Sequence, residues 1–362
     1  MFAPMLTEAR KIRIAILDLY EGHPNQGMRC LREIINQWGE YQHVETEYEE
    51  FDVRLKNEVP DMSFDIYISS GGPGSPLESR YADWETAYFS WLKELERWNE
   101  NPDHVQKKFV FFICHSFQLV CRHYNVGLVT KRKSTAFGVF PIHMLEDEGQ
   151  EPVFNGLKDP FYSVDSRDYQ VIQPNHSLLK KMGAKILCIE KNRPHVPYER
   201  AVMGVRFNPY MIGTQFHPEA DAVGMSMYLQ TEDKKKTVIE NHGEEKWKSM
   251  IEHLNDPDKI MWTYSHILPN FLSQASYASR LTIDVTSSIV SASIFSLLNI
   301  HSGIFRPGIF QPFSSRAMEN MIRSPRSSTT STENPEAAGL SLLNCRKLNS
   351  LNLPAALISR VN

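Results

Sequence analysis

The chain is poor in cysteine, and the few cysteines that it has are scattered. Its 362 residues include five cysteines, at positions 30, 114, 121, 188 and 345, and no two of them form a Cys-x-x-Cys pair. This pattern argues against a disulfide framework and a zinc site, and it suits a reducing compartment. The first residues also lack the long apolar run of a secretion signal. We therefore expect a cytoplasmic protein that holds no metal.

The chain also lacks a strong excess of charge and a long hydrophobic run. Its formal net charge is −4, with 41% hydrophobic and 23% charged residues, as in an ordinary soluble protein. This balance gives no indication of nucleic-acid or membrane-surface binding. An uncharged stretch at residues 285–300 contains six hydroxyl-bearing residues and is shorter than the ~20 residues of a membrane helix. We predict neither nucleic acid nor membrane among the partners.

A nucleotide-binding loop is absent as well. Residues 69–76 read Ser-Ser-Gly-Gly-Pro-Gly-Ser-Pro, but the Gly-Lys-Ser/Thr ending of a P-loop does not follow. We find no other motif for handling ATP, and we expect no cofactor.

Apolar strands alternate with amphipathic helices in the first third of the chain. The strand candidates are residues 12–19, 44–53, 64–69 and 109–113, and the helix candidates are residues 25–38, ended by Gly39, and residues 82–98. The alternation predicts an α/β protein with a doubly wound, mostly parallel, flavodoxin-like sheet and helices on both faces. In such sheets the functional residues lie at the carboxyl ends of the strands.

The pattern changes after Cys121. Shorter strand candidates follow, which we interpret as antiparallel additions and the last core strand: residues 134–144, 162–172, 185–190, 200–207 and 211–216. Residues 231–254 read as one polar helix. Beyond about residue 272 the sequence becomes rich in serine and loses its periodicity, which is typical of disorder. We predict a domain at residues 10–270 and a disordered, Ser-rich tail at residues 271–362.

Two short segments about a hundred residues apart carry the candidate chemistry. In the first, the apolar strand at residues 109–113 ends at Cys114, and a helix begins directly after it. In the second, residues 213–219, His217 is followed two positions later by Glu219. A thiol at a helix start is favoured as the thiolate, a histidine can take and return its proton, and a carboxylate can orient the imidazole. Since residues i and i+2 of a strand share one face, we expect Glu219 beside His217.

These segments resemble the class I (triad-type) glutamine amidotransferase family over roughly residues 10–265. The family's nucleophile motif is Gly-x-Cys-x-Gly-x-Gln, its distal motif is Gln-Phe-His-Pro-Glu, and its oxyanion loop is similar to residues 69–76. The resemblance implies the class I glutamine amidotransferase type of the flavodoxin-like fold. It also implies a stand-alone glutaminase-type domain that acts on glutamine or a γ-glutamyl compound. It also implies that the backbone N–H groups of Gly72 and His115 face the oxyanion, and that Gly74 and Gln118 contact the bound glutamine.

Two residues of the first segment depart from the family motif. Phe112 stands at the first glycine and Ser116 at the second. Positions two before and two after a nucleophile are normally small, because strand and helix approach closely there. Ser116 is small, but Phe112 needs room, and we expect the turn to be slightly remodelled.

The resemblance favours an enzyme that hydrolyses a γ-glutamyl amide through Cys114, His217 and Glu219. The ammonia would pass to a separate synthetase chain or be released. One alternative is a homoserine-type acyltransferase on the same framework, although Asp165 stands where those enzymes have a histidine. Another is a regulatory or binding member of the family that has lost turnover.

Overall fold

One sheet forms the centre of the computed structural model, which describes residues 11–23, 25–145, 151–194, 199–256 and 259–287. In chain order, the strands in these ranges are β1 (Ile12–Asp18), β2 (Thr46–Asp52), β3 (Ile66–Ser69), β4 (Phe109–Ile113), β5 (Leu128–Met144), β6 (Phe161–Ile172), β7 (Lys185–Glu190), β8 (Val202–Asn208) and β9 (Met211–Thr214). The helices are α1 (Gln26–Gln42), α2 (Val53–Lys56), α3 (Asp83–Glu100), α4 (His115–His123), α5 (His176–Met182), α6 (Ala222–Leu229), α7 (Glu232–His242), α8 (Glu244–Asn255) and α9 (Ile260–Ser287).

The strand order is β2-β1-β3-β4-β9-β8-β7-β5-β6. The pairs from β2 to β9 are parallel, and those from β9 to β6 are antiparallel. The predicted doubly wound α/β class, with antiparallel additions, is confirmed. Because β9 lies beside β4, the segment after β9 reaches the same edge of the sheet as the segment after β4.

The parallel strands are buried on both faces. In β4, Phe109, Phe111 and Ile113 belong to one core cluster, with residues of α1 and α9, while Val110 and Phe112 belong to another, with residues of α3 and α4. Successive side chains of a strand point to opposite faces, so a strand covered on both faces is apolar throughout. This explains why β4 has the bounds predicted from its sequence.

The antiparallel strand β5 is longer than we expected, whereas β6 matches its predicted bounds to within one residue. β5 has 17 residues and begins at Leu128 rather than at residue 134. Its pairing with β6 shifts register between Lys131 and Ala136. The missed first part, residues 128–133, ends in three consecutive charged residues, which interrupt the apolar signal.

Two predicted helix ends are wrong. Helix α1 continues past Gly39 to Gln42 and is ended by His43, whose φ of 52° closes the helix in the left-handed conformation that glycine usually provides. Residues 231–254 form two helices rather than one, α7 and α8. They are separated by Gly243, whose φ of 85° interrupts the helical hydrogen bonds.

Helix α9 crosses residue 270, where we predicted the domain to end. Phe271, Leu272 and Ala275 of this helix are buried in the core, and the ring of Phe271 lies 5.2 Å from that of Phe111. The packed core therefore extends beyond the predicted boundary. Residues 288–362, the bulk of the predicted tail, lie outside the described residues, and the tail stays a prediction. None of the described helices is long and apolar enough to cross a membrane.

We expect Phe271→Ala to lower the free energy of unfolding by about 3–5 kcal/mol, because it leaves a cavity beside Phe111. The matched variant on the same helix is Tyr277→Ala, whose side chain is 59% exposed, and it should change stability by no more than ~0.5 kcal/mol. Urea unfolding of both variants measures the difference. Equal effects would contradict the packing of α9 on the sheet.

Candidate active site

Cys114 lies at a sharp turn between β4 and α4. Its backbone has φ 47° and ψ −93°, a conformation that costs a residue with a side chain ~1–3 kcal/mol and is common at functional sites. The Cys114 amide donates to the Thr214 carbonyl at 2.8 Å, and the Cys114 carbonyl accepts from the Gln118 amide at 3.0 Å. This is the geometry of a nucleophile elbow, which presents a side chain at the carboxyl edge of the sheet.

Ser116, which replaces the second glycine of the motif, holds the turn together. Its Oγ accepts a hydrogen bond from the Ile113 amide at 2.8 Å and donates to the Ser69 carbonyl at 2.8 Å. All three residues are buried. The hydroxyl therefore joins the end of β4, the start of α4 and the end of β3, the strand that leads into the glycine-rich loop.

Phe112, which replaces the first glycine, is fully buried and points into the core. Its ring meets that of Phe207 edge-on, with 6.1 Å between the centroids. Its partner in register on β9 is Gly213, and a methyl group at Gly213 would lie 3.0 Å from Phe112 Cβ. The bulk that we expected to remodel the turn is thus accommodated beside Gly213, where the neighbouring strand has no side chain.

His217 and Glu219 follow the end of β9 and contact each other. His217 Nδ1 and Glu219 Oε1 are 2.8 Å apart, and the Glu219 side chain is only 2% exposed. The His217 amide donates to the Val164 carbonyl of β6 at 2.9 Å, which fixes the backbone. Because Nδ1 faces the carboxylate, Nε2 is left for a group on the other side of the ring.

The route by which Glu219 reaches His217 differs from our expectation. β9 ends at Thr214, His217 forms an isolated bridge with Val164, and the chain then turns at Pro218. The turn is closed by the Ala220 amide, which donates to the His217 carbonyl at 3.3 Å. The two side chains are therefore adjacent because of a turn, and not because alternate residues of a strand share a face.

The surroundings of His217 raise its pKa. Burial alone lowers the pKa of an imidazole. Here the Glu219 carboxylate and the Cys114 thiolate outweigh burial, through their charge and through hydrogen bonds, and the pKa of His217 lies well above its ordinary value. The structure thus brings Cys114, His217 and Glu219 into one cluster.

Gln215 is a site residue that the sequence analysis quoted within a motif but did not select. Its Nε2 lies 3.7 Å from Cys114 Sγ, and its Oε1 accepts from Gln118 Nε2 at 3.2 Å. Gln118 Nε2 also lies 3.3 Å from the Tyr169 carbonyl. The structure therefore places the amide nitrogen of Gln118 against protein groups behind the thiol, and its expected contact with glutamine stays a prediction.

The glycine-rich loop after β3 lies against the loop after β1. A methyl group at Gly72 would lie 2.4 Å from the Leu19 carbonyl oxygen, and one at Gly71 would lie 2.8 Å from His217 Cε1. No side chain fits at either position without displacing its neighbour. Gly74 has a φ of 89° and is exposed. The loop backbone therefore approaches the imidazole of His217 closely.

His115 occupies the first position of α4, directly after the thiol. The first hydrogen bond of this helix joins the Gln118 amide to the Cys114 carbonyl, so the His115 amide is among the N–H groups that precede the helical ladder. Its side chain is buried, and burial, with the nearby Arg54 and Arg122, lowers its pKa to about 3. The His115 ring is therefore neutral at physiological pH.

Tyr20 is a neighbour of the cluster that the sequence analysis missed. A methyl group at Gly71 would lie 3.2 Å from Tyr20 Oη and 2.8 Å from His217 Cε1, so the phenol stands close to the imidazole. Burial, followed by the charges of Glu219 and Cys114, raises the pKa of Tyr20 well above its ordinary value. Its position two residues after β1, at the carboxyl edge of the sheet, was the available signal.

Metal ligands are not clustered in the part of the chain that the structure describes. There, no group of three or more histidine, cysteine, aspartate or glutamate side chains is arranged to hold a metal ion. The chemistry available at this site is that of a thiol, an imidazole, a carboxylate and backbone N–H groups.

The fold and the cluster define an α/β protein with a cysteine at a strand-to-helix elbow and a histidine–carboxylate pair beside it. Residues 26–226, more than half of the chain, match the family model described as glutamine amidotransferase class-I, and the chain belongs to that family. The matched range includes Cys114, His217 and Glu219. Membership supports hydrolysis of the glutamine side-chain amide in general terms. Among curated proteins, no match is found.

Three solved structures are similar to this chain, and one of them supports the fold. A glutamine amidotransferase from Thermotoga maritima has a TM-score of 0.51 at 14% identity, with 73% of this chain and 97% of that chain covered. The glutaminase domain of Trypanosoma brucei CTPS with bound acivicin has a TM-score of 0.45 at 14% identity, with 74% and 94% covered. A glutamine amidotransferase from Methylobacillus flagellatus has a TM-score of 0.43 at 12% identity, with 76% and 94% covered. The first supports the fold alone.

A double-mutant cycle tests the packing of Phe112 against Gly213. Phe112→Ala should cost about 3–5 kcal/mol through the cavity that it leaves, and Gly213→Ala about 1–3 kcal/mol through overpacking. A methyl group at Gly213 would meet Phe112 Cβ, which alanine keeps, and Phe117 Cδ2. In the double variant Phe117 can move into the space that the Phe112 ring leaves, so the cost in urea unfolding should be smaller than the sum of the two. Additive costs would mean that the two positions do not share one space.

Proposed function

We propose that this protein hydrolyses the side-chain amide of glutamine or of a related γ-glutamyl compound. Cys114 is the nucleophile, His217 is the general base and acid, and Glu219 orients the imidazole. The backbone N–H groups of Gly72 and His115 stabilise the oxyanion. Family membership supports the reaction class, and the site geometry supports these roles.

The observation that carries the proposal is the strained elbow at Cys114 next to the His217–Glu219 pair. A cysteine with φ 47° is held in an unfavourable conformation, which a merely structural thiol does not need. A carboxylate at 2.8 Å from Nδ1 fixes the tautomer that offers Nε2 to the thiol. Together these features are those of an activated cysteine nucleophile.

Before the first half-reaction the proton of the Cys114 thiol passes to His217, whose raised pKa favours this ion pair. Cys114 Sγ then forms a bond to the side-chain carbonyl carbon of the substrate. The carbonyl oxygen becomes an oxyanion, which the N–H groups of Gly72 and His115 stabilise. When the tetrahedral intermediate collapses, the carbon–nitrogen bond breaks. The leaving nitrogen takes the proton from His217 and departs as ammonia, and a γ-glutamyl thioester remains on Cys114.

In the second half-reaction a water molecule attacks the thioester. His217 takes a proton from the water, and the same N–H groups stabilise the second oxyanion. The carbon–sulfur bond breaks, glutamate is released, and His217 returns the proton to Cys114. The sum is glutamine and water converted to glutamate and ammonia. Glu219 balances the positive charge that His217 carries in both steps.

We further propose that any acceptor of the ammonia is bound by a separate synthetase chain. The sequence contains no P-loop motif with which to activate an acceptor using ATP. Without such a partner the protein would act as a simple glutaminase.

The acyltransferase alternative receives less support from the geometry. Asp165, at the position where the acyltransferases have a histidine, is 2% exposed, and it accepts a hydrogen bond from Arg167 Nε at 2.9 Å. A carboxylate neutralised in this way is poorly suited to bind an acyl acceptor. The regulatory alternative rested on Phe112, whose bulk lies beside Gly213 and not in the turn.

Cys114→Ala should abolish glutamine hydrolysis while the fold persists, because no other thiol lies at the elbow. The matched control is Cys121→Ala on the same helix, which removes a fully buried thiol and should leave turnover per folded molecule nearly unchanged. Glutamate release by the purified protein measures both. A γ-glutamyl electrophile should label the wild type and Cys121→Ala but not Cys114→Ala. Wild-type turnover in Cys114→Ala would disprove the mechanism.

His217→Asn should lower turnover by about 10²–10⁴-fold, the range for a group that transfers protons. Glu219→Gln should cost less, because the amide oxygen can still accept from Nδ1 while the balancing charge is lost. Both variants should bind glutamine, since neither residue is placed in its binding. The measurement is kcat normalised to folded protein, with thermal melts on the same samples. A loss of stability without a loss of kcat would assign the pair a structural role only.

A further inference from the structure

Arg54 joins three segments at the carboxyl edge of the sheet. From α2, its Nη1 donates to the Pro73 carbonyl at 2.7 Å and to the Leu19 carbonyl at 3.3 Å. Its Nη2 lies 2.9 Å from a carboxylate oxygen of Glu21, and its guanidinium stacks over the ring of Trp84 at 5.2 Å. The Arg54 side chain is only 12% exposed, although its partners Glu21 and Pro73 are exposed.

The Pro73 carbonyl belongs to the glycine-rich loop that contains the proposed oxyanion donor. Gly72 precedes Pro73 and lies directly against the Leu19 carbonyl oxygen. The two loops are joined again by Ser70, whose Oγ accepts from the Leu19 amide at 2.9 Å and whose amide donates to the Leu17 carbonyl at 3.0 Å. Arg54 therefore binds both loops at the point where Gly72 contacts Leu19: the loop after β1 through Leu19 and the glycine-rich loop through Pro73.

We propose that Arg54 is a positioning residue that holds the glycine-rich loop, and with it the Gly72 N–H, in register with Cys114. The inference rests on the proposed glutamine hydrolysis. Arg54 does not touch the reacting atoms; it acts through the loop. Small displacements of a donor matter because an oxyanion is stabilised only when the donor is at hydrogen-bond distance from it, and a 1 Å misplacement can cost ~10²-fold in rate.

The contacts require arginine rather than any cation. The planar guanidinium offers donors in fixed directions, so it can bind two carbonyls and a carboxylate while stacking on an aromatic ring. A lysine at the same position has one charged nitrogen on a flexible chain, and it can reach the Pro73 carbonyl or Glu21 but cannot reproduce the set. Arg54→Lys should therefore restore part of what a neutral substitution loses.

The test compares Arg54→Met and Arg54→Lys with a matched control, Arg206→Met. Arg206 has a side chain of similar exposure, 13%, and it also pairs with a carboxylate, that of Glu151, and approaches a backbone carbonyl, that of Pro209, at 3.3 Å. These partners lie outside the glycine-rich loop. The control therefore reports what is lost when a half-buried, paired arginine is removed elsewhere.

Three measurements separate positioning from general stability. We expect kcat for glutamine to fall by about 10–10²-fold in Arg54→Met, less than the ~10²–10³-fold for outright loss of a donor, with a smaller change in KM. Arg54→Lys should be intermediate and Arg206→Met close to the wild type. Alkylation of Cys114 by iodoacetamide should change by no more than ~2-fold, because that reaction develops no oxyanion. Deuterium uptake of the peptide spanning residues 70–76 should rise in Arg54→Met and not in Arg206→Met.

The outcomes are distinct. Equal kcat and equal deuterium uptake in Arg54→Met and Arg206→Met would overturn the inference, as would a parallel loss of iodoacetamide reactivity, which would make Arg54 a general support of the fold. If Arg54→Met does not fold, Arg54→Lys provides the same comparison. A wild type without glutaminase activity would count against the proposed function, whereas the deuterium uptake of residues 70–76 would still decide whether Arg54 holds the loop.

Discussion

The unfavourable backbone conformation of Cys114 is the constraint on which the rest of the site depends. A residue with a side chain adopts a φ of 47° together with a ψ of −93° only when its surroundings enforce it. Here the Thr214 carbonyl holds the Cys114 amide, the start of α4 holds its carbonyl, and the Ser116 hydroxyl bonds to β3 and β4. The partners Thr214 of β9 and Ser69 of β3 come from distant segments, so the turn is held in this form by the assembled sheet.

The same strand pairing explains how two distant segments meet. β9 lies directly beside β4, so the chain that leaves β9 reaches the edge where Cys114 is exposed, and His217 arrives there within three residues. The departure at Phe112 is compatible with this pairing because Gly213 faces it across the sheet. In this chain the small residue beside the elbow is Gly213 on the neighbouring strand. The hydroxyl of Ser116 stands where the family motif has its second glycine.

Much of the fold and of the candidate site could be predicted from the sequence, where a local pattern encodes them. β4 was predicted from its unbroken apolar run, and Cys114, His217 and Glu219 from short motifs. What was missed depends on contacts between segments. The end of α1 at His43 rests on a non-glycine residue in a left-handed conformation, and the core position of Phe271 rests on its packing against Phe111.

The missed site residues were of the same kind. Each of them contacts loops that are distant in the sequence, and no spacing in the sequence predicts such contacts. These residues are Tyr20, Gln215 and Arg54. Tyr20 and His217 both lie against Gly71 of the glycine-rich loop. Arg54, on a helix of four residues, donates to the Pro73 carbonyl of the same loop.

The position of β9 between β4 and β8 also has a consequence for synthesis of the chain. β4 pairs with β3 on one side and with β9 on the other, and β9 begins about a hundred residues later, at Met211. A nascent chain that ends before β9 therefore presents Phe109–Ile113, a run of five apolar residues, as an open sheet edge. Such edges pair readily with other chains. Until β9 has been synthesised, the growing polypeptide therefore carries an apolar edge that is prone to aggregation.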